Sequence, residues 1–234
     1  MRSLAVAILV TNALLLMLLT PSSLAGRKEE QICDVPADYF LGLEDYREAI
    51  LLHVDVLTKH PRNALAHYHL GFALGMLGDT ISELREYQQA EALGLANWDL
   101  FLNLGLVELE TGDLKAATDS LRRAVRLDEN RFESHFNLAL VEEQRGMLAK
   151  AEQETLASLA SSPKNSDALN LLGVIYAEEG KTARASEVWS QLGRDLPDYE
   201  PVRANLKLLA ARASQLPARR RSLALHPVAA IGAY

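Results

Sequence analysis

Apolar residues recur along this chain at helical spacing, and the pattern returns every 34 residues. Between residues 98 and 131 the apolar positions are Phe101, Leu104, Leu106 and Val107, then Leu114, Ala117, Leu121, Ala124 and Val125. Steps of three and four residues keep side chains on one helix face, so the two runs predict two helices with a break between them. Leu70-Gly71, Leu104-Gly105, Leu138-Ala139 and Leu172-Gly173 hold the beat, as do Gly78, Gly112, Gly146 and Gly180. Ala117, Ala151 and Ala185 keep it too, and Pro61, Pro163 and Pro197 fall on it. A period of this length marks a stack of helix–turn–helix units, none of which buries its apolar face alone.

Four full repeats cover residues 64–97, 98–131, 132–165 and 166–199. Gly112 stands where the first helix of its repeat stops, because glycine accepts the left-handed conformation of a helix end. Asp113 then caps the second helix. Gly78-Asp79 repeats this pair, whereas Gly146-Met147 and Gly180-Lys181 keep the glycine and lose the cap. Ala49 and Pro61 place a second helix before the first full repeat, but Pro36 and Gly42 leave its partner absent or very short. This is a degenerate starting half-repeat. A last helix over residues 201–214 keeps Leu206 in phase and carries Arg203, Lys207 and Arg212, the charged outer face that ends a solenoid.

The flanks differ in kind. Arg2, an uncharged apolar run and Ser23-Leu24-Ala25 read as a signal peptide, residues 1–25, cleaved after Ala25. The alternative is a membrane anchor over residues 4–20, opposed by Thr11 and Asn12 inside the run and by Arg27-Lys28 beyond it. Either reading puts the body outside the cytoplasm, periplasmic or secreted. Residues 26–37 read as a linker, residues 38–214 as the repeat domain, and residues 215–234, with Arg219, Arg220 and Arg221, as a basic disordered tail. The net charge is −7, yet the stretch from Glu200 onward holds six Lys or Arg against one acid, which leaves −12 on the rest. So acidic a body repels phosphate backbones and argues against nucleic-acid binding. Cys33 is the single cysteine, so no internal disulfide staples the fold.

These residues resemble the tetratricopeptide repeat family: Leu-Gly at repeat positions seven and eight, Gly at fifteen, Ala at twenty and Pro at thirty-two. Leu95 and Glu129 depart from the closing proline, and Glu83 from the small residue at position twenty. The resemblance implies an all-α, right-handed superhelical solenoid of four full repeats, the half-repeat and a C-terminal capping helix. It also implies a concave groove lined by the first helix of each repeat. Carried onto this chain, the groove residues are Tyr68, His69, Phe72, Leu102, Asn103, Leu106, Glu110, Phe136, Asn137, Leu140, Asn170, Val174 and Glu178. The asparagines offer donors and acceptors to the backbone of an extended segment. With carboxylates present and no Lys or Arg among them, the expected ligand is a neutral-to-basic protein segment. An acidic C-terminal tail held by a carboxylate clamp is not expected.

Chemistry has little support in the sequence. His67 and His135 stand at position four, a packing position, with no ligand set at metal spacing around them. Glu142-Glu143 and Glu178-Glu179 read as solvated faces. No phosphate loop, nucleophile elbow or dinucleotide fingerprint is present, so neither catalysis nor a cofactor is expected. The resulting expectation is an interaction scaffold of an envelope assembly, export or biogenesis system. Self-assembly through solenoid ends or the basic tail is the alternative.

Overall fold

The computed structural model describes residues 34–213. The signal peptide, Cys33, most of the linker and the basic tail lie outside the described residues. Eleven helices follow one another among those described: α1 (Val35–Gly42), α2 (Tyr46–Lys59), α3 (Ala64–Met76), α4 (Thr80–Ala92), α5 (Trp98–Glu110), α6 (Leu114–Leu127), α7 (Phe132–Gln144), α8 (Leu148–Ser161), α9 (Ser166–Glu178), α10 (Thr182–Asp195) and α11 (Glu200–Ala213). None is long and apolar enough to cross a membrane. The chain forms two compact units, one up to Leu95 and one from Ala96. Within each unit every helix packs on the next. First helices also touch first helices, α1 on α3 in one unit and α5 on α7 and α7 on α9 in the other. This is the stacking of helix–turn–helix repeats, and the fold is all-α.

Helix starts and stops follow the repeat. Asn63, Asn97 and Asn165 accept from the backbone N–H three residues on at 3.1, 3.2 and 2.8 Å, capping α3, α5 and α9. Asp45, Asp79 and Asp113 do the same for α2, α4 and α6. Met147 and Lys181 hold the same backbone conformation without a side-chain cap, as expected. Gly78, Gly112, Gly146 and Gly180 all take positive φ between the paired helices, but at the equivalent turn after α1 the residue is Glu44, with φ of 60°.

The half-repeat has a short first helix. α1 is eight residues long and ends at Gly42, the position at which α3, α5, α7 and α9 also end. It opens at Val35, inside the stretch read as a linker. The reason is local: Pro36 falls in the first turn, where a missing N–H costs nothing, and Asp34 caps by accepting from Ala37 N–H at 3.1 Å.

Paired helices close through a size match between positions eight and twenty-four. A Cβ on Gly71 would stand 2.8 Å from the Tyr87 ring, and one on Gly105 2.6 Å from Leu121 Cγ. Gly173 is covered by Trp189 in the same way. The three large side chains are fully buried. Where position eight is Ala139 instead, position twenty-four is the smaller Thr155. Among the described residues the last helix of the second unit is α11, whose Val202 and Leu206 pack with Val174, Ala177, Trp189 and Leu192.

Candidate functional site

The expected groove residues divide by exposure. On α3, Tyr68, His69 and Phe72 are half-buried. The Tyr68 ring lies against Tyr87 and that of Phe72 meets Tyr46 edge-on, with centroids 5.7 and 6.2 Å apart. In the second unit Leu102, Phe136, Asn137 and Asn170 are fully buried, and Asn103, Leu140 and Val174 nearly so. Leu106 is half-buried, and Glu110 and Glu178 are exposed.

The asparagines therefore do not line a surface as expected. Asn137 Nδ2 donates to the Glu133 carbonyl at 3.0 Å. The Asn170 carbonyl accepts from the Trp189 indole N–H at 3.3 Å, and its Oδ1 accepts from Asn205 Nδ2 at 3.1 Å. Asn205 belongs to α11, so it is the capping helix that seals Asn170. An amide at these positions bonds within the fold because the neighbouring elements close over it.

What the first helices of the second unit carry at their margins is acid. α5, α7 and α9 contain no Lys or Arg. They hold Asp99, Glu108 and Glu110, then Glu133, Glu142 and Glu143, then Asp167 and Glu178. The paired second helix α6 is the reverse, with Lys115, Arg122, Arg123 and Arg126 against one acid, Asp119. Some of the carboxylates are held internally. Ser120 Oγ donates to Glu108 Oε2 at 2.7 Å, Arg122 Nη2 to Glu142 Oε1 at 2.9 Å, and the Tyr199 hydroxyl to Asp167.

Glu143 and Glu178 have each other. Burial first, and the Glu178 charge second, push the Glu143 carboxyl up to about 7. Glu178 keeps one side in solvent, yet partial desolvation by the surrounding protein raises it as well. The expectation of solvated carboxylate faces thus fails for three of the four residues. Glu142 is 1% exposed, Glu143 is half-buried, and Glu179 pairs with Lys181 Nζ at 2.7 Å. Adjacent repeats bring Glu142 to Arg122 and Glu143 to Glu178, which a single helix read by itself does not reveal. The signal that was available is the total lack of Lys and Arg on three first helices.

His67 and His135 are structural, and alike. Nδ1 of each lies 2.7 Å from a carboxylate on the paired helix, Glu86 and Glu154 respectively. Nε2 of each faces the carbonyl six residues before it, Pro61 at 3.3 Å and Glu129 at 3.0 Å. The two pairs stand two beats apart in register. In the other repeats the same two positions are Phe101 with Ser120 and Leu169 with Val188. The Glu154 hydrogen bond, opposed by burial, raises the His135 pKa. The His67 hydrogen bond lowers that of Glu86.

Comparison with known proteins agrees with this geometry. The profile of the tetratricopeptide repeat family matches residues 84–131 and 102–166. "Tetratricopeptide repeat protein 8" of Caenorhabditis elegans is 25% identical over 150 residues, 63% of this chain and 30% of that protein. "Type IV pilus assembly protein PilF" of Pseudomonas aeruginosa is 28% identical over 114 residues, 48% of this chain and 45% of that protein. The chain thus spans less than half the length of either curated relative. Among solved structures, YrrB, titled a TPR protein with an unusual peptide-binding site, superposes with a TM-score of 0.67 at 26% identity, covering 77% of this chain and 89% of that one. The 34-residue register, the helix pairs that obey it and these matches converge: the chain is a tetratricopeptide repeat protein, built on a fold that serves as a scaffold for protein–protein interaction.

Proposed function

We propose that this chain is a non-enzymatic adaptor working outside the cytoplasm. It holds a neutral-to-basic segment of a partner protein against the first helices of its repeats, within an envelope assembly, export or biogenesis system. The observation that carries this reading is the charge segregation in the second unit: three first helices rich in carboxylates and free of Lys and Arg, with Glu143 and Glu178 pressed together. Holding two carboxyls close in a partly desolvated place is unfavourable, and a cationic side chain from a partner relieves it. An acidic segment meets only repulsion there. The apolar run after Arg2 and the small residues before Gly26 support export. The likeness to a pilus assembly protein supports an envelope setting. Proteins of this repeat family generally act as scaffolds rather than enzymes.

The test is affinity capture from the envelope extract of the source cells, with the native chain and a Glu110→Lys/Glu178→Lys variant as parallel baits. Both positions are exposed, so the variant is expected to fold. A partner held by the native bait and lost from the variant supports the reading, and equal capture by both contradicts it.

Self-assembly has one observation in its favour. Val35, Tyr39, Leu43 and Leu51, in the first two helices and the turn between them, are exposed apolar residues. Sedimentation across a concentration series separates the two readings. A mass that doubles with concentration, and returns to that of one chain in Tyr39→Glu/Leu51→Glu, favours self-assembly.

A further inference from the structure

Three successive helices of the first unit bring together a carboxylate and two imidazoles, one of them the expected groove residue His69. Asp38 lies on α1, His53 on α2 and His69 on α3. One nitrogen or oxygen from each lies within 4.8 Å of the other two. His69 Nδ1 stands 2.6 Å from Asp38 Oδ1, and His53 Nε2 stands 3.8 Å from the same oxygen. The two imidazole rings meet edge-on with centroids 5.3 Å apart.

The burial of this group makes it unusual. His53 is 1% exposed, and neither of its ring nitrogens has a hydrogen-bond partner. Asp38 Oδ1 is sealed from solvent and, although close to His69, is not aligned for a hydrogen bond. Buried polar atoms are nearly always paired. Here two of them, His53 Nε2 and Asp38 Oδ1, face each other across 3.8 Å with His69 beside them.

The repeat register shows that this is a local substitution and not a property of the stack. His53 stands at the position of Tyr87, Leu121, Thr155 and Trp189. Asp38 stands at the position of Phe72, Leu106, Leu140 and Val174. Two positions that are mainly apolar in the full repeats are ionisable in the half-repeat, and they face each other. Read against the beat, the sequence carried this signal.

We propose that Asp38, His53 and His69 bind one divalent transition-metal ion of the zinc type. Two imidazoles and one carboxylate are a zinc donor set, with bonds of about 2.0–2.2 Å and ligand atoms about 3.3 Å apart around a tetrahedral ion. Closing the wider pair and opening the narrower one takes rotations of side chains on three separate helices. Calcium and magnesium need more oxygen donors than this set supplies. The ion would tie α1, which is too short to persist alone, to the two helices after it. Its fourth position is left for water or a partner's side chain.

The test is equilibrium dialysis of the metal-stripped full chain against zinc alone, paired with the visible spectrum after cobalt(II) substitution. The variants are Asp38→Asn and His69→Gln, both at partly exposed side chains, with His67→Gln as the control. Far-UV circular dichroism checks that each is folded. The expected result is one saturable site and tetrahedral cobalt bands. Affinity should fall about tenfold or more in either site variant and hold in the control, and zinc should raise the melting temperature of the native chain but of neither site variant. Absence of saturable binding by the native chain, or unchanged affinity in both folded site variants, overturns the assignment.

Discussion

The carboxyl of Glu143 on α7 feels the charge of Glu178 on α9, which together with burial raises it, and neither helix supplies a Lys or Arg to neutralise the pair. The pair joins position twelve of one repeat to position thirteen of the next. It therefore exists only because the repeats stack.

That pair predicts a pH dependence. The Glu143 carboxyl is raised from 4.5 to about 7 in the fold, so folding takes up a proton between those values. Its contribution to stability is intact below about pH 4.5 and is lost as the pH rises through about 7. Glu143→Gln removes the effect. Discounted for solvent screening at a half-buried pair, the variant should gain on the order of 1 kcal/mol over the native chain at pH 8 and nearly nothing at pH 4.5. Urea titrations at the two pH values check this, and a gain of equal size at both contradicts it.

Gly173 lies under the Trp189 indole, and a Cβ there would stand 2.7 Å from Cδ1. Trp189 is fully buried and has nowhere to retreat. Gly173→Ala should destabilise the chain by about 1–3 kcal/mol through overpacking. Gly42→Ala, with open space around its Cβ, should be neutral or stabilise slightly. Parallel chemical denaturation of the two variants separates a packing effect from a general glycine effect.

Met147 occupies an N-cap without supplying one, at φ −88° and ψ 54°. Asp79 and Asp113 cap from nearly the same conformation. Met147→Asp should therefore stabilise by about 0.5–2 kcal/mol. The equivalent change at Lys181 should not, because Lys181 holds Glu152 at 2.9 Å and Glu179 at 2.7 Å. The melting temperatures of the two variants decide the point.

Glu44 takes φ of 60° at a turn where the later repeats use glycine. A side chain in the left-handed region costs roughly 1–2 kcal/mol, and glycine gives back part of this in unfolded-chain entropy. Glu44→Gly should thus raise stability by about 0.5–1 kcal/mol. Hydrogen exchange should show the gain first in the amides of α1 and α2.

Much of the fold was legible because each repeat states it again. The turns at Gly78, Gly112, Gly146 and Gly180, the caps at Asp79 and Asp113 and the missing caps at Met147 and Lys181 all follow from local rules that need no neighbour. α1 was harder to read, since Pro36 looks like a breaker until it is placed in the first turn. The surface was the least legible part. Asn137 and Asn170 look available on their own helices and are sealed by what packs beside them. Glu143 looks solvated until α9 is set next to α7. The His67–Glu86 and His135–Glu154 pairs lie between: the register exposes them once positions four and twenty-three are read together.

The central claim is that the carboxylates on α5, α7 and α9 select a positively charged partner segment. The most direct measurement is fluorescence anisotropy of three labelled peptides matched in length and apolar content, one Lys-rich, one neutral and one Glu-rich. Each is titrated with the native chain and with Glu110→Gln/Glu143→Gln/Glu178→Gln at low and physiological salt. The account predicts the tightest binding for the Lys-rich peptide and none for the Glu-rich one, with weakening on adding salt or removing the three carboxyls. Preferred binding of the Glu-rich peptide, or affinity for the Lys-rich peptide that the triple variant leaves unchanged, would contradict it.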